Sequence, residues 1–70
     1  MKTMKGFIQV ELVNKDLNNS TIIWLNAFRI FQIRYSELTK TTTVWLDHAG
    51  AYELKENEEE IMLLIEEALQ

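Results

Sequence analysis

Two six-residue stretches of this 70-residue chain are near-copies of each other, Thr21–Asn26 and Thr42–Asp47. Each is a run of β-branched and aromatic residues closed by Asn or Asp, which is typical of a short strand that ends in a turn. Because side chains alternate across a strand, the aliphatic residues of each copy share one face, and Trp24 and Trp45 point to the other. The repeat therefore predicts a β-rich fold with two indoles on equivalent strands, and it is the clearest indication of a contact surface.

Chain length limits how stable this fold can be. Seventy residues make a single domain, residues 1–70, and a domain of this size buries only about 60% of the surface that its unfolded chain exposes. The sequence has no cysteine, so neither a disulfide nor a thiolate metal site can add stability. Self-association is a common remaining way for a small domain to bury more surface.

The net charge of -4 is unevenly distributed along the chain. From Glu56 onward there are six acidic residues and no basic one, a charge of -6, whereas residues 1–55 hold seven bases and five acids, a charge of +2. An acidic tail thus follows a mildly basic body. This tail is either a solvated helix face or a surface that meets the opposite charge of a neighbouring subunit.

Alternation of apolar and polar residues defines the expected strands. We predict five strands and one helix, with bounds at about 6–13, 21–26, 30–36, 42–47 and 51–55 for the strands and 57–69 for the helix. Residues 14–20 are mostly polar and are expected to form a loop, and Gly50 supplies the positive φ for a hairpin. The predicted fold class is α+β, a five-stranded antiparallel meander sheet with one C-terminal helix packed on one face.

The helix has a clear start signal. Asn57 is a favoured N-cap, and Glu60, three residues later, suits a capping box. An apolar stripe with helical spacing should lie on the sheet, namely Ile61, Leu64, Ile65, Ala68 and Leu69. Leu63 falls on the opposite, acidic side, where it is either a surface leucine or a contact with a second helix. Whether the helix packs on its own sheet or exchanges with a neighbour stays open.

The strand pattern assigns residues to two faces of the sheet. The face under the helix is expected to hold the apolar residues Ile8, Val10, Leu12, Ile23, Leu25, Phe31, Ile33, Val44, Leu46, Tyr52 and Leu54. Parity places other apolar residues on the uncovered face, namely Phe7, Val13, Ile22, Trp24 and Trp45. Two interpretations of the tryptophans remain. They form an exposed patch that marks a contact site, or they are not available for contact, because one or both indoles fold down over the sheet edge or because a one-residue slip in register turns them into the core.

Several of these residues resemble a known pattern. Leu25-Asn26 with Ile30 four positions on, Thr43-Val44 with Leu46, Gly50, and Lys55-Glu56 before Glu59-Glu60-Ile61 are similar to the small flagellar-associated FlbD/SwrD-like bacterial proteins. That family usually has Leu-Asn-Gly at the first turn, where this chain has Val13-Asn14-Lys15. The resemblance implies the fold rather than a mechanism, because the family has no established catalytic residues to carry over.

No catalytic, cofactor-binding or metal-binding signature is apparent. The chain has two glycines, Gly6 and Gly50, which is too few for a phosphate loop or a dinucleotide fingerprint. His48 is the one histidine and follows Asp47 in a turn, where adjacent side chains normally point apart. We therefore predict that the protein is not an enzyme and has no cofactor.

The leading hypothesis is a non-catalytic protein-interaction module that self-associates through the Trp24/Trp45 face or along sheet edges. The candidate protein-binding residues are Phe7, Ile22, Trp24, Trp45, Arg34 and Leu63. The alternative is single-stranded nucleic-acid binding, in which aromatic residues stack bases beside Arg34. A sequence pI near 4.8 argues against that alternative. The expected setting is cytoplasmic, with a homo-oligomer or another protein as partner and no membrane.

Overall fold

The computed structural model describes residues 2–13 and 21–70 and shows the predicted α+β fold, a curled five-stranded antiparallel sheet with one C-terminal helix. The elements are β1 (Thr3–Met4), β2 (Phe7–Leu12), β3 (Thr21–Asn26), a 3-10 helix (Ala27–Arg29), β4 (Ile30–Ser36), β5 (Thr41–Leu46), β6 (Gly50–Leu54) and α1 (Glu58–Ala68). The two-residue β1 is an addition to the five predicted strands. The predicted loop at 14–20 lies outside the described residues.

The strand order differs from a simple meander at one place. The sheet runs β3-β2-β6-β5-β4, with β1 also paired to β2, so the first long strand lies beside the last. Over the described residues, consecutive strands β3 and β4 form the two ends of the sheet instead of pairing. The 3-10 helix joins them, and the Asn26 side-chain oxygen starts it by accepting a hydrogen bond from the Phe28 backbone N–H at 2.9 Å. This 3-10 helix redirects the chain from β3 to β4 rather than closing a hairpin.

A short junction between β2 and β6 keeps the sheet curled. One described ladder position joins these strands, Leu12 opposite Leu54, which we call the junction pair. Two backbone hydrogen bonds extend it, Val13 N–H to the Glu53 carbonyl at 2.9 Å and Lys55 N–H to the Glu11 carbonyl at 2.9 Å.

Glu56 completes this junction. The chain leaves β6 after Leu54, and the Glu56 carboxylate then accepts the Glu11 backbone N–H with its two oxygens at 3.1 and 3.0 Å. The Glu56 carbonyl accepts the buried Thr42 hydroxyl at 2.7 Å. One residue thus connects β2 to β5 at the point where backbone pairing ends.

The inner face of the sheet and the helix form one core. Most residues predicted to face the helix are buried or packed against the buried cluster, namely Ile8, Val10, Leu12, Ile23, Leu25, Ile33, Val44, Leu46, Tyr52 and Leu54. From α1, the predicted Ile61, Leu64 and Ala68 are buried and Ile65 is partly buried. Leu69 lies past the last helical residue and is 46% exposed, so its prediction as a core residue was wrong.

Phe31 is the second incorrect core prediction. It is 64% exposed, because β4 has an irregularity between Ile30, which lies opposite Leu46, and Gln32, which lies opposite Trp45. Two steps along β4 therefore match one step along β5, and Phe31 is the extra residue of a β-bulge. Strict alternation assigns Phe31 to the inner face, whereas the bulge moves Ile30 there instead.

Local hydrogen bonds fix both ends of the helix. The Asn57 side-chain oxygen accepts the Glu60 backbone N–H at 2.8 Å, which confirms the predicted N-cap. At the other end, the Ala68 carbonyl accepts the Gly6 backbone N–H at 2.8 Å. Gly6 has a φ of +84° in the turn between β1 and β2, a value that favours glycine. This turn makes β1 possible, but two residues are too few for alternation to reveal a strand.

The Glu56 junction leads to a stability prediction. We expect Glu56→Ala to lower the free energy of unfolding by about 1–2 kcal/mol, because it removes a charged acceptor from a half-buried backbone N–H. Glu56→Gln keeps an amide oxygen and should cost less, and Glu66→Ala on the exposed helix surface should change stability by no more than about 0.5 kcal/mol. Urea unfolding followed by tryptophan fluorescence measures all three variants. A loss in Glu56→Ala no larger than that in Glu66→Ala would contradict the role of the junction.

Candidate interaction surfaces

The outer face of β1, β2 and β3 carries a contiguous apolar surface, which we call the β3 patch: Met4, Phe7, Ile22 and Trp24. Met4 lies directly opposite Phe7 across the β1–β2 ladder. Trp24 lies opposite Gln9, two residues from Phe7, so the indole is a diagonal neighbour of the Phe7 ring, at a typical spacing of ~7–8 Å. Ile22 precedes Trp24 by two residues and shares its face.

These four side chains are substantially accessible. Met4 is 57% exposed, Ile22 53%, and Phe7 and Trp24 42% each. Ile23 and Leu25, which alternate with Ile22 and Trp24, are partly buried and buried. The register therefore holds in β3, and the Trp24 indole faces outward as parity predicts. A one-residue slip that would bury Trp24 is excluded by this pairing.

Trp45 also lies on the outer face, but in a different setting. It is half-buried on β5 between Gln32 of β4 and Ala51 of β6. The exposed Arg34 is opposite Thr43, two residues along, so Arg34 and Trp45 are diagonal neighbours. The structure thus brings two of the predicted binding residues together here.

The two tryptophans do not form one surface. Strands β2 and β6 lie between β3 and β5, which gives three strand spacings, or ~14 Å across a flattened sheet. On β2, Trp24 lies opposite Gln9, which is three residues before Leu12 of the junction pair. On β6, Trp45 lies opposite Ala51, which is three residues before Leu54 of the junction pair. Because β2 and β6 are antiparallel, these offsets run in opposite directions and add to six residues, or ~20 Å along the strands. The predicted Trp24/Trp45 face is therefore divided into two separate regions.

Leu63 lies apart from both regions. It is 63% exposed on α1, as its position among acidic residues predicts. It lines a shallow groove beside the N-terminal segment together with Lys2, Glu60 and Glu67. The Thr3 hydroxyl donates a hydrogen bond to the Glu67 carboxylate at 3.3 Å across this groove. The six candidate residues therefore divide into the β3 patch, the Trp45–Arg34 pair and the isolated Leu63.

A further apolar surface was not anticipated from the sequence. A groove runs between β4 and α1, and we call it the β4–α1 groove; it is lined by Ala27, Ile30, Phe31, Gln32, Ile33, Met62, Ile65 and Leu69. Phe31 and Met62, at 64% and 52% exposed, form its walls. In the sequence, the one indication of this surface is Met62, an apolar residue next to the apolar stripe of the helix. The groove itself depends on the β4 bulge, which alternation does not reveal.

The described residues do not assemble a metal site. Within 2–13 and 21–70, no group of three or more His, Cys, Asp or Glu side chains is placed to hold a metal ion. Among the same residues, no helix is long and apolar enough to cross a membrane.

Comparison with protein-family models, with curated proteins and with solved structures finds no match to this chain.

Proposed function

We propose that this chain is a non-catalytic protein-interaction module that self-associates through the β3 patch. The observation that supports this is the contiguity of four accessible apolar side chains, Met4, Phe7, Ile22 and Trp24, on adjacent strands. Contiguous exposed apolar patches bordered by polar residues are typical of interaction sites in soluble proteins. Trp is also enriched among the residues that dominate binding energy.

The surroundings of the patch suit contact between identical subunits. A two-fold interface brings the same residues of both copies together, so an unpaired charge at its edge would oppose its own copy. Gln9 and Asn26 flank the apolar residues, and Glu11, opposite Ile22, forms an ion pair with Lys55 at 3.1 Å. The five acids of α1 belong to the helix that covers the inner face, and Glu67, which approaches β1, accepts a hydrogen bond from the Thr3 hydroxyl at 3.3 Å. The patch therefore avoids most of the repulsion that a net charge of -4 would cause elsewhere.

The proposal narrows the predicted contact surface. Phe7, Ile22 and Trp24 stay together as its centre, and Met4 joins them. Trp45, Arg34 and Leu63 lie outside the patch, and the proposal gives them no part in the same contact. A small domain gains most from this association because its own core is limited.

The family resemblance and the compartment stay predictions. The proposal does not depend on the resemblance to FlbD/SwrD-like proteins, since it rests on the exposed patch alone. We also propose a cytoplasmic setting, which suits a chain without cysteine.

The two copies of the repeat supply a matched pair of variants. Trp24→Ser and Trp45→Ser each remove one indole from the outer face of an equivalent strand, but only Trp24 belongs to the β3 patch. By light scattering across a concentration series, we expect the native chain to associate and Trp24→Ser to raise the dissociation constant about tenfold or more. Trp45→Ser should associate like the native chain, with urea unfolding as a check that both variants fold. A strictly monomeric native chain, or equal weakening by both variants, would contradict the proposal.

One observation bears on the nucleic-acid alternative. Arg34 beside Trp45 is a possible stacking site for a base, but Trp24 lies too far away to continue it and the net charge is -4. We expect no saturable change in tryptophan fluorescence when oligothymidylate is titrated at low salt. Saturable binding that weakens with salt and is lost in Arg34→Ala would favour the alternative.

A further inference from the structure

Strand β4 ends the described sheet and has a neighbour on one side only. Its residues pair with β5 from Ile30 opposite Leu46 to Ser36 opposite Thr41. Within the part of the chain that the structure describes, its other edge takes no strand. Alternate residues of a terminal strand direct their N–H and C=O groups away from the sheet, which allows an extended chain to add as a further strand.

The β4–α1 groove follows this open edge. Four successive residues of β4, 30–33, line it. Past the β-bulge, Gln32 pairs with Trp45 on the outer face and Ile33 pairs with Val44 on the inner face, so a groove lying over one face would contact only one of these two residues. Contact with both indicates that the groove runs along the strand's edge, with Met62, Ile65 and Leu69 of α1 as its opposite wall.

The C-terminal end of β4 lies beside acidic residues instead of apolar ones. There Tyr35 borders a second depression with Asn57, Glu58 and Glu59 at the start of α1. Because Phe31 lies near Leu69 and Tyr35 near Glu58, α1 runs antiparallel to β4. The first turn of α1 carries three acids, and the helix has no base. Two of these acids, Glu58 and Glu59, border the second depression, and their charge exceeds the roughly half positive charge of the helix N-terminus, so this depression favours a cation.

The charges of β4 argue against a second copy of β4 as the occupant. The one charged residue of the strand, Arg34, alternates with Ile33 and Tyr35 and is exposed on the outer face. A second β4 paired at this edge would therefore bring no cation to Glu58 and Glu59. A segment whose apolar and basic side chains share one face would instead complement both the groove and these two acids.

We propose that the β4–α1 groove binds an extended segment of a partner protein by strand addition to β4. The segment places an apolar side chain against Phe31, Met62 and Leu69. On the same face, four residues away, it places a Lys or Arg near Glu58 and Glu59. The four-residue spacing spans ~13 Å, which is enough to reach from Phe31 to Tyr35, because the β-bulge makes that stretch of β4 no longer than four regular residues. This surface is separate from the β3 patch and does not depend on self-association there.

Three fluorescein-labelled nonapeptides test this proposal by fluorescence anisotropy. The first alternates Thr and Val and carries one Phe with one Lys four positions later; the second replaces that Lys with Glu; the third is the first with alternate backbone nitrogens methylated. The Trp24→Ser variant serves as the receptor, so that association through the β3 patch does not compete. We expect the Lys peptide to bind at least about tenfold more tightly than the Glu peptide, and the methylated peptide to lose binding because it cannot form the ladder.

Adjacent helix positions supply the matched control. Met62 and Leu63 are both largely exposed, at 52% and 63%, but Met62 lines the β4–α1 groove and Leu63 lines the groove on the other side of α1. Met62→Ser should weaken the Lys peptide about fivefold or more, Leu63→Ser should leave it unchanged, and Glu58→Gln with Glu59→Gln should remove most of the preference for Lys over Glu.

Three results would overturn the proposal. The first is equal affinity for the Lys and Glu peptides, or no binding of either. The second is undiminished binding of the methylated peptide, which would show that no strand is added. The third is a change in the β4 amide NMR signals with protein concentration alone in Trp24→Ser, which would show that a second copy occupies the edge.

Discussion

The junction between β2 and β6 is the contact on which the arrangement of this small domain depends. Long ladders build the β2–β3 pair and the β4–β5–β6 sheet, but one described pair position joins these two units. Glu56 adds hydrogen bonds to this short ladder, because its carboxylate accepts the Glu11 N–H and its carbonyl accepts the Thr42 hydroxyl. These contacts bring the first and last long strands together, curl the sheet around one core and leave β3 and β4 as its ends. The helix then packs within the curl through Ile61, Leu64 and Ala68.

The strand order also determines which apolar residues can act together. The pairing of β2 with β6 puts two strands and opposite offsets between Trp24 and Trp45, even when the sheet is flattened. Trp24 consequently joins Met4, Phe7 and Ile22, whereas Trp45 lies beside Arg34. The open edge of β4, next to α1, forms a third surface with an apolar end and an acidic end. The two surfaces proposed for binding suit different occupants: the β3 patch an identical subunit, and the β4–α1 groove an extended basic and apolar segment.

Local chemistry made much of the fold predictable. Asn57 as N-cap, Gly50 at positive φ and the alternation within β2, β3 and β5 are decided by neighbours in sequence, and all appear in the structure. The outward direction of Trp24 follows from the same alternation. Long-range pairing was not predictable in this way, because no local pattern specifies that β2 lies beside β6. The bulge that exposes Phe31 depends on the β4–β5 register, and the division of the tryptophan face follows from the strand order.

The separation of the two tryptophans tests this account most directly. The chain has no cysteine, so nitroxide labels on Trp24→Cys and Trp45→Cys together report only these two positions, after dilution with unlabelled protein. Dipolar EPR should give a separation of ~20 Å or more, since two strands and opposite offsets from the junction pair lie between the labels. A flat meander would place one strand between them, at ~10 Å. A distance near that shorter value would contradict the strand order, the junction at Glu56 and the division of the outer surface that follows from them.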